Sequence, residues 1–160
     1  MPLVVIQKKL EKIMEERDTV IKFIKLALKE VYKNDKYLID NKVSERAIVS
    51  KFACYFSQIA KEKEGSLKKY DIDVEYNRQG IKSKILGEKL VCIDFIVHER
   101  GNNHNNLIAI EFKPYWNKKK KAIEKDKQKI KNLCDNANEY RYKYGFALTF
   151  EKELEKIIVQ

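Results

Sequence analysis

Glycine, proline and cysteine are scarce in this chain, and each scarcity excludes a class of protein. Among 160 residues there are five glycines, two prolines and three cysteines. So few glycines and prolines exclude collagen-like and low-complexity sequences. Cys54, Cys92 and Cys134 are odd in number and widely spaced, which argues against a disulfide framework or a structural zinc site. Each stands among apolar residues, so we expect all three to be small core side chains.

Long hydrophobic runs are also lacking. None approaches the roughly 18 residues that a membrane-spanning helix needs, and the first residues have none of the features of a signal peptide. We therefore expect a cytoplasmic protein without a membrane partner. With 160 residues, 44% of them hydrophobic and 11% aromatic, the chain can bury the core of a single domain, 1–160.

Lysine is abundant and dominates the charge. Lys and Arg number 34 against 24 Asp and Glu, which gives a formal net charge of +10. A basic excess favours a polyanionic partner, above all nucleic acid. The alternative is a lysine-rich surface that has no such partner.

Hydrophobic periodicity predicts an α/β (α+β) fold with a mixed central sheet flanked by helices. Residues 1–40 form an N-terminal helical extension and 41–160 the core. The first helix is interrupted only at Arg17, where Asp18 or Thr19 can cap a second helix. Its apolar face exceeds what a small sheet needs, which favours a homodimer through the N-terminal helices. The predicted helices are 3–33, 44–62, 118–133 and 151–159, and the predicted strands are 70–76, 90–98, 107–113 and 144–150.

Two acidic residues stand in otherwise apolar predicted strands. Asp94 is the only acid in 90–97, and Glu111 and Lys113 end the next strand. A hairpin that turns about 102–103 places Asp94 opposite Glu111, with Lys113 on the same face. Opposed carboxylates repel each other unless a divalent cation, a shared proton or Lys113 compensates them. Oxygen ligands favour Mg²⁺ or Mn²⁺, whereas charges at a strand end in solvent need no compensation.

Glu45 is predicted at the start of helix 44–62, above its inward apolar stripe. It lies three and four residues before Ile48 and Val49, so its carboxylate is on the buried side of the helix. The simpler alternative is a first-turn acid that complements the helix dipole.

The spacing of these groups resembles the signature of the PD-(D/E)XK nuclease superfamily, the restriction-endonuclease-like fold. Asp94 is followed, after sixteen residues, by Glu111-Phe112-Lys113, and Glu45 lies on a helix before the first strand. The wider likeness is to small uncharacterised bacterial proteins of this superfamily. It covers about residues 41–150 and is clearest in the segments 44–48, 70–78 and 93–101.

The resemblance implies a metal-dependent phosphodiesterase core. Asp94, Glu111 and the backbone carbonyl of Phe112 would bind Mg²⁺ or Mn²⁺. Lys113 would position the attacking water, and Glu45 would extend the acidic group from its helix. The implied partner is nucleic acid, with DNA ahead of RNA.

Residues near these strands are candidates for binding phosphate. Asn77 and Arg78 follow strand 70–76, and a guanidinium group matches phosphate bidentately. The segment 118–131 contains eight lysines and two acids, and a basic helix can follow a phosphate backbone. An ordinary turn and a solvated helix face are the alternatives. The segment begins with Lys118, Lys119, Lys120 and Lys121.

Three functions remain open, and the third is an oligomeric interaction protein that associates through the apolar face of helix 3–33. The first is a Mg²⁺- or Mn²⁺-dependent nuclease. The second is a catalytically idle module of the same fold that binds nucleic acid or a protein partner. The complete set of Asp94, Glu111 and Lys113 favours the enzyme.

Overall fold

A computed structural model describes residues 3–62, 66–79, 82–86 and 89–159 of the chain. The helices are α1 (Leu3–Asn34), α2 (Lys36–Asp40), α3 (Glu45–Glu62) and α4 (Lys120–Cys134). The strands are β1 (Asp71–Tyr76), β2 (Arg78–Gln79), β3 (Lys82–Ser83), β4 (Ile85–Leu86), β5 (Lys89–Leu90), β6 (Ile93–His98), β7 (Ile108–Pro114) and β8 (Tyr144–Phe150).

Four strands form a mixed sheet in the order β1, β6, β7, β8. β6 is antiparallel to both of its neighbours, and β8 is parallel to β7. The predicted mixed sheet flanked by helices is thus confirmed. Phe95 pairs with Ile110, so the predicted hairpin register is also confirmed. Between β1 and β6 the chain forms two small antiparallel ribbons, β2 with β3 and β4 with β5.

Helices α1 and α3 cover one face of the sheet with aromatic and aliphatic side chains. Phe52 and Phe56 of α3 each lie 5.1 Å, centroid to centroid, from Phe95 of β6. Phe52 also lies 4.9 Å from Phe112 of β7. From α1, the same cluster buries Val20, Phe23, Ile24, Ala27, Leu28, Val31 and Tyr32. Burying one such large apolar side chain contributes about 1.5–3 kcal/mol.

Helix α4 covers the opposite face through a smaller cluster. Ile130 packs there with Ile96 and Ala109. Gly145 of β8 allows a close approach, because a Cβ at this position would lie 2.5 Å from both Cys134 Sγ and Ile130 Cγ2. The helix is therefore seated directly on the parallel pair of strands.

Helix α1 is one uninterrupted helix of 32 residues. The predicted break at Arg17 is wrong, because Thr19 donates its hydroxyl to the Glu15 carbonyl at 2.9 Å instead of capping a new helix. Charged residues are interspersed with the apolar residues along the whole length of α1. In the part of the chain that the structure describes, no helix is both long and apolar enough to cross a bilayer.

The C-terminal segment differs from its prediction as a helix. It contains only a 3-10 turn, Leu154–Lys156. Ile157 and Val159 pack against the core, whereas Ile158 between them is 68% exposed. This alternation is typical of extended chain rather than of a helix, whose side chains return every three to four residues.

Two of the three cysteine predictions are wrong. Cys54 and Cys92 are exposed. Cys54 lies on the outer side of α3, because Phe52 and Phe56 on either side of it point inward. Only Cys134 packs against a core cluster, where burial raises the pKa of its thiol to about 11.

Candidate active site

The candidate site lies where β6 and β7 separate. Their pairing ends at Phe95 and Ile110, and the Asp94 carboxylate then accepts the next amide, Phe112 N, at 2.8 Å. In return Asp94 N donates to Glu111 Oε1 at 3.3 Å. The two predicted carboxylates are thus neighbours, and backbone groups hold both of them.

Phe112 presents its backbone to this site and its ring to the core. Its N–H points toward β6, and the N–H and C=O of one strand residue point to the same side. The Phe112 carbonyl therefore faces the same gap as Asp94. The ring is fully buried and stacks on Phe150 with a centroid distance of 4.6 Å, so the side chain anchors this residue in the core.

Glu111 is the most buried carboxylate of the site, with 5% of its surface exposed. Burial and the neighbouring Asp94 raise the pKa of Glu111 to about 7. Lys129 of α4 donates to Glu111 Oε1 at 2.7 Å and also to the carbonyl of Cys92. This ammonium group lowers the pKa of Glu111 without restoring its ordinary value.

Lys113 extends between α3 and α4. Its Nζ lies 3.2 Å from Asp126 Oδ2 and 3.8 Å from Glu45 Oε2. Burial lowers the pKa of Lys113, but the two carboxylates outweigh burial, so the pKa is raised overall. Lys113 is therefore a cation at neutral pH, which suits it to stabilising negative charge rather than to accepting a proton.

A small cavity of about 100 Å³ opens beside Asp94, between α3 and β1. Glu45 lines this cavity, and burial together with Asp94 raises the pKa of Glu45. Glu75 lies on the opposite wall, where it forms an ion pair of 2.6 Å with Arg46. The inward position predicted for Glu45 is thus confirmed, and its carboxylate has space beside it for small molecules such as water.

We call the six side chains at this position the acidic cluster. With every group ionised, its four carboxylates and two ammonium groups leave two negative charges in excess. Burial raises the pKa of Asp94 as well, as expected of carboxylates that are incompletely compensated. Among the described residues, no three acidic, histidine or cysteine side chains are gathered as a metal site. The acidic cluster consists of Glu45, Asp94, Glu111, Lys113, Asp126 and Lys129.

Asp126 and Lys129 are the members that sequence reasoning missed. Both belong to the basic segment 118–131, which from its composition is interpreted as a phosphate-binding helix or a solvated helix face. Asp126 lies three residues after Ile123 and four before Ile130, so it belongs to the inward stripe of α4. The sequence therefore does indicate the position of Asp126, through the same three-four spacing that places Glu45 on the inward side of α3.

The predicted phosphate-binding residues belong to two segments, the start of α4 and the residues that follow β1. Lys119, Lys120 and Lys121 are exposed at the start of α4 and form no ion pair with another described residue. Lys118 is instead paired with Glu151 at 2.6 Å. Asn77 is exposed, and its carbonyl accepts the Lys84 amide at 2.5 Å. Arg78 belongs to β2, and its side chain lies outside the part that the structure describes.

No family model, curated protein or solved structure matches the chain. Its function is therefore inferred from the acidic cluster and the surfaces around it.

Proposed function

We propose that the chain is a divalent-metal-dependent phosphodiesterase that acts on nucleic acid, built on a restriction-endonuclease-like core. The observation that supports this most is the acidic cluster, where four carboxylates meet two lysines at the open end of β6 and β7. When every group is ionised, the excess of two negative charges in this half-buried site is unfavourable. A divalent cation has the charge that balances them.

The oxygen atoms at this position fit Mg²⁺ or Mn²⁺. Asp94, Glu111 and the Phe112 carbonyl would hold the ion, which fits the raised pKa values of both carboxylates. Lys129 would compete with the ion for the negative charge of Glu111, because its ammonium group already lies beside Oε1 of that carboxylate. When bound, the ion would supply Lewis-acid polarisation of the phosphodiester and of water.

The protein's own groups have separate roles in this proposal. The Lys113 ammonium group binds a phosphate oxygen and stabilises the charge that develops as the bond breaks. Asp126 and Glu45 fix the direction of that ammonium group from two helices. Glu45, beside the cavity, also orients a water molecule there by accepting its hydrogen bond.

The net charge of +10 supports nucleic acid as the substrate. The start of α4 carries three exposed lysines, Lys119 to Lys121. They form a positive surface that can contact the phosphate backbone of a bound nucleic acid. We expect binding to weaken steeply with salt, because each neutralised phosphate releases counterions. DNA ahead of RNA and a homodimer through the N-terminal helices stay predictions.

A second candidate function is a catalytically idle module that binds nucleic acid or a protein. The ion pair of 2.7 Å between Lys129 and Glu111 favours it. Lys129 supplies part of the compensation that the first candidate assigns to a metal ion. In this case the fold and the basic surface persist, while the acidic cluster is a structural ion-pair network.

Cleavage and binding measured side by side separate the two candidates. Plasmid DNA, single-stranded DNA and RNA are each incubated with Mn²⁺ and the parent chain, Asp94→Asn, or the exposed control Asp18→Asn. We expect the parent and the control to cleave, and Asp94→Asn to bind without cleaving. Binding by the parent without any Mn²⁺-dependent cleavage would support the idle module instead.

A further inference from the structure

The first turns of α1 extend beyond the core with apolar side chains in solvent. Every residue from 4 to 15 is exposed. The exposed fraction is 42% for Ile6 and 56% for Leu10, which is high for side chains of this size. The exposed apolar residues of this segment are Val4, Val5, Ile6, Leu10, Ile13 and Met14.

Three of these residues continue the stripe that packs against α3 further along the helix. Ile6, Leu10 and Ile13 are spaced three and four residues apart, in phase with Val20 and Ile24. From Val20 onward the stripe is buried against α3 and the sheet. The stripe therefore has an intramolecular partner in its second half, and the first half has none among the described residues.

The direction of the projecting segment is fixed at its base. Tyr144 Oη donates to the Ile13 carbonyl at 3.3 Å, and Lys143 forms an ion pair with Glu16. Helix formation is continuous through this point. The segment is thus preorganised, and a partner that binds it need not supply the free energy of folding it.

We propose that the stripe of Ile6, Leu10 and Ile13 docks against the same stripe of a second copy of this chain, in antiparallel orientation. The spacing of three and four residues is the one by which paired helices interlock. A two-fold axis makes the interface self-complementary and closed. This inference does not depend on the nuclease activity.

Charge along the helix determines the orientation. The segment 8–12 has three lysines and one acid, Glu11, whereas the segment 15–18 has three acids and Arg17. Glu16 is already paired with Lys143 within the chain. With Leu10 opposite Ile13, an antiparallel pair places Lys8 beside Glu15 and Lys12 beside Glu11 of the other copy, whereas a parallel pair places like charges together. The charges therefore favour a second copy over an unrelated apolar surface.

Sedimentation equilibrium over a range of protein concentrations tests the dimer. We expect the full chain to dimerise and Leu10→Glu to sediment as a monomer that keeps the circular-dichroism spectrum of the folded chain, because Leu10 is exposed in the single chain. Val4→Glu is the matched control: Val4 is 63% exposed but lies off the stripe, so this variant should still dimerise. A monomeric parent, or a dimer that Leu10→Glu leaves intact, would overturn the proposal.

Distances between spin labels test the orientation. Val4→Cys is labelled in a chain whose exposed cysteines are replaced, Cys54→Ser and Cys92→Ser. Pairing centred between Leu10 and Ile13 separates the two labels by about 20 Å along the helix axis, at about 1.5 Å per residue. A distance of about 10 Å, the spacing of neighbouring helix axes, would show parallel helices and contradict the antiparallel dimer.

Discussion

Two lysines of this protein are largely removed from solvent, and their surroundings are opposite. Lys84 is 1% exposed, and its Nζ lies 5.0–5.4 Å from the ring centroids of Tyr76, Tyr140 and Tyr142. Burial lowers the pKa of Lys84 to about 8. Lys113 lies between the carboxylates of Asp126 and Glu45, and its pKa is raised.

Both side chains are withdrawn from solvent, so burial alone does not distinguish the lysine of the proposed site from a lysine that only packs in the core. Lys84 donates to Tyr142 Oη at 2.7 Å, and this bond attaches the segment between β3 and β4 to the core. Among the described residues, no carboxylate forms an ion pair with Lys84, and burial lowers its pKa. In the proposed function, the Lys113 ammonium group, which lies beside Asp126 and Glu45, also approaches a phosphate oxygen.

The largest expected effect separates these two lysines by activity. Lys113→Ala should lower the single-turnover cleavage rate by about 10²–10⁴, because it removes one well-placed electrostatic group. Binding of Mn²⁺ should persist, since Lys113 is not a ligand. Lys84→Met is the matched control, a second buried lysine whose loss should leave the rate unchanged. An equal loss of cleavage rate in Lys113→Ala and Lys84→Met would show that the loss comes from disturbed folding and not from a role of Lys113 in the reaction.

A smaller effect concerns the pH dependence of stability in the protein prepared without metal. Glu111 has a pKa of about 7 when folded and about 4.3 when unfolded. The folded state binds more protons between these values, so the free energy of unfolding should fall by about 2 kcal/mol as the pH rises from about 5 to about 7.5.

Urea denaturation in the presence of a chelator measures this dependence. Glu111→Gln should reduce the slope, whereas Glu124→Gln, an exposed acid on α4, should retain it. Identical slopes in the parent and Glu111→Gln would mean that Lys129 fully compensates the carboxylate.

The smallest expected effect concerns Lys84. Its folded pKa of about 8 lies below the unfolded value, so the unfolded state binds more protons at mildly alkaline pH. The free energy of unfolding should therefore rise by about 1 kcal/mol between about pH 7.5 and about pH 9. Thermal or urea denaturation should show this rise in the parent and in Lys113→Met, but not in Lys84→Met. A rise that Lys84→Met retains would contradict the assignment.

Much of the fold could be predicted from the sequence, because its signals are local. Alternation located β1 and β8, and the three-four spacing located α1 and α3. The C-terminal segment was missed, because Ile157 and Val159 also fit a short amphipathic helix until their packing on the core is known. Ion pairs between distant segments, such as that of Lys118 with Glu151, leave no periodic trace in the sequence.

The candidate site was predicted in part. The hairpin register placed Asp94 beside Glu111, and helical spacing placed Glu45 on the inward side. Asp126 and Lys129 were missed because a lysine-rich helix suggests a solvated face, although both residues lie on its inward side. The carboxylate oxygens that Lys113 and Lys129 approach depend on how α4 packs against the sheet. Gly145 allows the close contact between α4 and β8.

Calorimetric titration of Mn²⁺ tests the central claim, that the acidic cluster is a divalent-cation site. The parent and the control Glu124→Gln should bind the ion, and Asp94→Asn should lose binding while it keeps an oxygen that can accept the Phe112 amide. Lys129→Gln should bind more tightly than the parent, because the competing ammonium group is gone. A parent chain that binds no Mn²⁺, or an Asp94→Asn variant that binds it with parental affinity, would contradict the account.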